Sequence, residues 1–494
     1  MEEYQEPLLL TREVSEKKKK TYYDENCEGC QVQRRKAENP DVPWRHFFFI
    51  WVITLTAALP ISSIFPFLYY MVRDFNIAKR EEDISFYAGF EGSAFMIGRT
   101  LTAVLWGMVA DRYGRKPVMI LSTFSVVIFN TMFGLSTSYW MALLARLLLG
   151  AFCGTLGPMR AYATEVSRRE HQSLGVAMMT SSWGIGLVIG PALGGYLAQP
   201  ADKFPSVFSQ ESIFGRFPYF LVNLVISIFA FGVFILCFWL PETLHTCTIN
   251  ADGTTKDLSH DIEDVDTQKL QNAEGTSNSW LSLLRNWPLM STIIVYCMFQ
   301  LHDMAYIEIF SLWTVSPRTV GGLSLSTEDV GQALAVAGVG LLICQLLLYP
   351  FLERKFGPIT VSRVGAVISI VLLSSYPFFA KLKGTSLSLV VDLASALKNV
   401  LSVSITTGLF LLQNRSVSQH QRGAANGLSL CIMSFCKALG PAAAGSLLSW
   451  AQTRQMASFL PGTHMVFFIL NVVEFLGLLM TFKPFLASPA HEYF

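Results

Sequence analysis

Long apolar stretches, each closed off by glycines, prolines or a few charges, recur along the whole of this chain. In the first half they cover 47–71, 86–110, 117–137, 139–161, 173–198 and 217–240. In the second they cover 288–313, 329–352, 358–380, 386–412, 423–450 and 464–482. Each reaches the roughly 20 residues that a helix needs to cross a hydrocarbon core about 30 Å thick. Membrane-spanning strands would read instead as shorter segments of alternating polarity. The pattern therefore predicts an all-α membrane protein with twelve transmembrane helices.

Composition agrees. With 494 residues, 52% hydrophobic and only 15% charged, the chain is too apolar for a water-soluble protein of several domains. Lys and Arg in short loops stay cytosolic. They collect in the amino tail (Lys17 to Lys20, Arg34, Arg35, Lys36) and at Arg112, Arg115 and Lys116, Arg168 and Arg169, Arg354 and Lys355, and Arg415 and Arg422. The intervening connections are poorer in net positive charge, so both termini are expected in the cytosol. The net charge of +1 says nothing about partners, and no nucleic-acid partner is expected. Most of the nine cysteines fall inside spans, where a thiol acts as a small apolar group and no disulfide framework is implied.

The chain divides into an amino tail (1–45), a six-helix half (46–242), an acidic linker without an apolar run (243–285), a second six-helix half (286–484) and a short tail (485–494). The halves echo each other. Gly190-Pro191-Ala192-Leu193-Gly194 is answered by Gly440-Pro441-Ala442-Ala443-Ala444-Gly445, and the charged turn before Gly114 by Glu353-Arg354-Lys355-Phe356-Gly357. Two related halves are the basis for rocking about a central site.

The turn from Gly107 through Asp111, Arg112, Gly114 and Arg115 to Lys116 resembles the loop signature of the major facilitator superfamily. Gly186-x-x-x-Gly190-Pro191-x-x-Gly194-Gly195 is similar to the fifth-helix motif of its drug/proton antiporter branch, and Arg146-x-x-x-Gly150 to that branch's buried arginine. Cys27-Glu28-Gly29-Cys30 and Pro241-Glu242-Thr243-Leu244-His245 resemble the cysteine and histidine signatures of the plant zinc-induced facilitator-like family, which usually has Pro or Ser in place of Glu28. The resemblance implies a proton-coupled transporter of zinc-related small molecules such as the chelator nicotianamine, or of potassium or auxin. It also implies that spans one, four, seven and ten line the cavity.

Ionisable groups inside spans are costly unless they face a partner or a polar cavity, and so mark a pathway. Here they are Glu91, Arg99, Arg146, His302, Asp303, Asp392, Lys398, Lys437 and Glu474. The cavity-lining rule favours Arg146, His302, Asp303, Asp392 and Lys398, with Arg146 and Lys398 as repeat-related cations suited to carboxylates. Asp303 and Glu91 rank first as proton carriers. Glu91 is expected near the non-cytosolic mouth, His302 and Asp303 away from the midplane, and Arg99 and Lys398 nearer the centre. Asp111 with Arg112, Arg115 and Lys116 reads as a latch whose charge-assisted bonds break and reform, and Gly107, Gly114, Gly190, Pro191, Gly194 and Gly195 as its flexible or close-packed parts.

Cys27 and Cys30 are half of a tetrahedral zinc site, which His245 and Cys247 would complete from the same side of the membrane. Alternating access needs no bound cofactor. The absence of a Gly-x-x-x-x-Gly-Lys-Ser/Thr loop and of a nucleophile with a base speaks against an ATPase or another enzyme. The expected function is export of a small solute from the cytosol by a proton-driven monomer, whose further partners are protons, membrane lipid and zinc on the cytosolic side. A non-transporting membrane zinc sensor is the alternative of another class. Leu8-Leu9-Leu10 with Glu3 and Glu6 resembles an acidic dileucine signal, placing the vacuolar membrane first and the plasma membrane second.

Overall fold

The computed structural model describes residues 27–39, 41–168, 171–244, 247–249, 255–257, 283–344, 348–417 and 422–486. The first span is Trp44–Ser62, continued after a turn by Leu68–Asp74. Pro66 lies in that turn and cannot donate the bond that would carry the helix through. The second span, Glu81–Tyr113, opens with three acids in its first turn, where they oppose the helix dipole. The third is Arg115–Gly134. The fourth runs Tyr139–Phe152 and resumes as Leu156–Glu165, with the break at Gly154 held by its N–H donating to Ser122 Oγ at 3.1 Å. The fifth and sixth are Gln172–Leu197 and Phe220–Cys237.

In the second half the seventh span is Trp287–Val315. The eighth is Thr327–Ile343 with Tyr349–Phe356, started by a reciprocal Ser326–Asp329 cap. Pro358–Ser375, Thr385–Arg415, Arg422–Gln452 and Thr463–Met480 complete the set. Ten of the twelve are long and apolar enough to cross a bilayer as they stand, and the second makes an eleventh when its bent parts are joined. The described Thr327–Ile343 part of the eighth, at 17 residues, is shorter than that length.

Among the described residues, and besides short helical turns such as Pro200–Lys203 and Ile213–Arg216, two further elements lie outside the expected twelve. The amino tail forms a helix, Glu28–Glu38, and the linker holds a two-stranded antiparallel hairpin pairing Cys247–Ile249 with Thr255–Asp257. Neither has the length or the apolar run by which the spans are recognised.

The halves meet along two helix pairs, the second span against the eleventh and the fifth against the eighth. Glycines set both contacts. A Cβ on Gly331 would lie 2.7 Å from the Pro191 carbonyl oxygen and 2.8 Å from the Cα of Gly195. A Cβ on Gly89 would lie 2.5 Å from the Pro441 carbonyl oxygen and 2.9 Å from the Cα of Gly445. Gly195 and Gly445 occupy matching places in the two Gly-Pro motifs, so the interface repeats about a pseudo-twofold axis. Gly190 and Gly194 press instead on Ser62 and Ser63 of the first span. Backbone contact of this kind is the packing device of membrane helices.

Candidate functional site

Among the described residues, the hydrogen bonds that join the halves collect at the end away from the amino-terminal helix. Tyr70 Oη donates to the Leu325 carbonyl at 2.9 Å, Ser85 Oγ to Gln452 Oε1 at 3.3 Å, and Lys203 Nζ to Thr327 Oγ1 at 2.7 Å, with Glu328 at 3.7 Å. Lys203 also donates to the Gly195 carbonyl. Burial pushes the Lys203 ammonium down from its ordinary value, and Glu328 opposes the shift. The deepest such bond is from the Ala442 N–H to Ser93 Oγ at 2.8 Å. These bonds shut the far end between the halves.

Beneath the shut end lies a cluster drawn from both halves. Arg146 of the fourth span is buried, donates Nη1 to the Pro60 carbonyl at 2.8 Å, and stands 5.3 and 5.4 Å from the ring centres of Phe95 and Phe133. Two buried acids, Glu91 of the second span and Glu308 of the seventh, both act electrostatically on it. Among the described residues, neither carboxyl has a hydrogen-bond partner on either oxygen. Glu308 packs on Gly92, where a Cβ would sit 2.9 Å from its Oε2.

A second buried cluster belongs wholly to the second half. Lys398 Nζ lies 3.8 Å from Glu474 Oε1 and donates to Ser402 Oγ at 2.7 Å, while His302 Nε2 lies 3.5 Å from Glu474 Oε2. Ser369 donates to the same carboxylate at 2.8 Å, and Lys398 stands 5.2 Å from the Tyr306 ring centre. His302 and Lys398 thus share one depth, because Glu474 of the twelfth span gathers both. Lys398 is fully buried, and its partners here, Ser402, Glu474 and Tyr306, all belong to its own half. Asp392 accepts from Gln332 at 3.1 Å and ties the tenth span to the eighth.

Nearer the basic end lies a third group, drawn from both halves. Arg160 of the fourth span is exposed, while Arg99 of the second, Lys437 of the eleventh, and Asp303 and Tyr296 of the seventh are half-buried. Lys437 lies in the fields of Asp303, Arg99 and Arg160, and Arg160 in that of Tyr296. Charges from both halves therefore face one another here.

The charged turn forms a continuous network at the basic end. Arg115 Nη2 is 3.0 Å from both Asp111 Oδ1 and Glu165 Oε1, and its Nη1 donates to the Ala110 carbonyl at 2.8 Å. Glu242 caps the third span, accepting the backbone N–H of Arg115 at 3.0 Å and of Lys116 at 2.9 Å. Arg112 is exposed beside the Tyr113 ring, and a Cβ on Gly107 would meet nothing within 4 Å. Gly114 has φ +106° and turns the chain at the point where Glu242 closes on it. Gly114→Ala should lower stability by about 1–3 kcal/mol, read as a drop in the detergent-solubilised melting temperature, because the alanine meets both the strained backbone and the Glu242 carboxylate. In the second half Gly357 repeats the positive φ at 76°, and Arg415 pairs with Glu353 at 2.9 Å. The two ion pairs differ in placement, since Arg115 follows Gly114 by one residue and Glu353 precedes Gly357 by four.

The model of the Major Facilitator Superfamily matches residues 50–441. The chain belongs to that superfamily. Within it, this facilitator is 56% identical to the zinc induced facilitator-like 1 protein of Arabidopsis thaliana, over 94% of the chain and 97% of that relative. It is 52% identical to the zinc induced facilitator 1 protein of the same plant, over 99% of each. The solved structure of a D-xylose-proton symporter superposes with a TM-score of 0.69, covering 90% of this chain and 98% of that one at 14% identity, which shows the shared fold.

The amino-terminal helix of this facilitator docks on the network just described. Glu28 Oε2 accepts the Glu242 N–H at 2.8 Å, Lys36 Nζ donates to the Glu165 carbonyl at 3.0 Å, and Arg168 Nε donates to the Lys36 carbonyl at 2.6 Å. Burial pushes the Lys36 ammonium down, with Glu165 opposing. Cys27 and Cys30 are buried at the start of this helix. His245 lies outside the described residues, and Cys247 is described by its backbone alone. Among the described residues no three His, Cys, Asp or Glu side chains are arranged to hold a metal.

Two site residues escaped the sequence reading. Glu308 sits in the same apolar run as His302 and Asp303, and its charge inside a span was the available signal. Arg160 stands at the edge of the run 139–161, where a cation passes for an anchor at the membrane surface.

Proposed function

We propose that this facilitator is a proton-coupled antiporter that moves a small solute out of the cytosol, with the basic end cytosolic and the shut end facing the vacuolar lumen. The Glu91, Arg146 and Glu308 cluster carries the reading. One guanidinium faces two carboxyls there, so the ionised cluster is one negative charge in excess and a single bound proton makes it neutral. A dry site favours the neutral form. The cluster crosses the interface of the halves, so rocking changes its exposure and couples the proton to alternating access. Asp303 stands instead beside Lys437, in the group of cations nearer the basic end. The names of the plant relatives support a solute linked to zinc homeostasis, a carboxylate-bearing chelator such as nicotianamine. The solute is tested in proteoliposomes with an imposed pH gradient, comparing nicotianamine, its zinc complex, potassium and auxin. Nicotianamine uptake driven by the gradient is the expected result. If no solute responds to the gradient, proton coupling fails.

A further inference from the structure

We infer that Arg99, Arg160 and Lys437 form a clamp for the anionic groups of the solute, a small organic anion bearing two or more carboxylates, and that this anion draws the halves together at the basic end. The inference rests on the transporter reading and names the chemistry its central space would take.

The three cations lie on the basic side of the Glu91 cluster. Arg99 is eight residues along the second span from Glu91, about 12 Å toward that end, and Lys437 is about 6 Å beyond Pro441 in the same direction. Arg160 is exposed, and its field reaches Tyr296 and Lys437 of the other half. Among the described residues, none of the three has an ion-pair or hydrogen-bond partner within the standard distances. Asp303 alone offers an opposing charge. Three cations against one acid leave two positive charges without a fixed counterion, which at this depth is a standing cost unless an anion or water meets them.

The distribution over both halves matters. Arg99 and Arg160 belong to the first half and Lys437 to the second, so closing the basic end brings like charges together. An anion between them converts that repulsion into charge-assisted contacts on both sides. Closure then follows loading. A neutral solute of the same size would bind without drawing the halves together.

The test uses the full chain in nanodiscs at fixed ionic strength. Citrate, succinate and the neutral succinamide are titrated while melting temperature is followed. Citrate should stabilise the protein at lower concentration than succinate, and succinamide should have no effect. Lys437→Gln and Arg160→Gln should each raise the half-saturating citrate concentration about tenfold, with partial recovery in Lys437→Arg and Arg160→Lys. Asp303→Asn should lower it, an effect that a merely structural role does not produce. Equal stabilisation by succinamide, or unchanged citrate response in folded Arg160→Gln, overturns the clamp. The two proposals fail separately: a citrate response in a protein without pH-driven flux sinks proton coupling alone, and pH-driven flux without any citrate response sinks the clamp alone.

Discussion

Glu308→Gln will uncouple transport from the pH gradient while leaving solute exchange intact. The amide has the size of the protonated acid and carries no charge, so the cluster around Arg146 becomes permanently neutral and can follow the rocking halves without a proton. In proteoliposomes, gradient-driven accumulation should fall by on the order of tenfold or more, while exchange of labelled for unlabelled solute without a gradient stays near the wild-type rate. Glu91→Gln should behave alike, since its carboxyl is also buried and without a hydrogen-bond partner. The double variant should be worse than the sum. It strips Arg146 of both acids and leaves a buried cation opposed only by the Pro60 carbonyl and two rings, at a cost of about 3–5 kcal/mol. It should therefore show a lower melting temperature or poor yield. If Glu308 were only an ion-pair partner, its glutamine variant would keep full coupling and lose stability alone.

How much of this was legible in the chain follows from the kind of signal each feature leaves. Twelve spans are written as apolar runs because every residue in lipid contributes to them. The Gly-Pro motifs and the charged turn are local strings, and the structure gives them local jobs: Gly195 and Gly445 at the interface, Gly114 at the turn. Buried charges can be read as present, but their pairing cannot. Lys398 and Glu474 lie far apart in sequence and meet because the tenth and twelfth spans pack on the seventh. Glu308 joins Arg146 only through the assembly of the halves, and no spacing in the chain encodes that. Glu242 illustrates the remaining case, where a string similar to a family signature acquires its physical reason from the structure, as the cap of the third span.

Gly445→Val will hold the protein open at the end that is shut here. Any Cβ on Gly445 enters the backbone of the second span, 2.8 Å from the Cα of Gly89 and closer still to the Ser85 carbonyl. A backbone cannot swing aside as a side chain can, so the two spans must separate. Overpacking of this sort costs about 1–3 kcal/mol, and it is incurred only in the conformation where the helices touch. At the upper figure the ratio of the two conformations shifts by about a hundredfold. Gln452, buried between Ser85 and Ser316, reports the change. In Gln452→Cys the thiol should resist a membrane-impermeant maleimide, and in Gln452→Cys with Gly445→Val it should react readily from the far side. Gly195→Val should act in the same way through Thr327 and Gly331, whereas Gly232→Val, where a Cβ meets nothing within 4 Å, should leave both labelling and transport unchanged. A slow reaction in the Gly445 variant would mean that the glycine pairs only pack the helices, and that the far end is closed by the Tyr70, Ser85 and Lys203 bonds without their help.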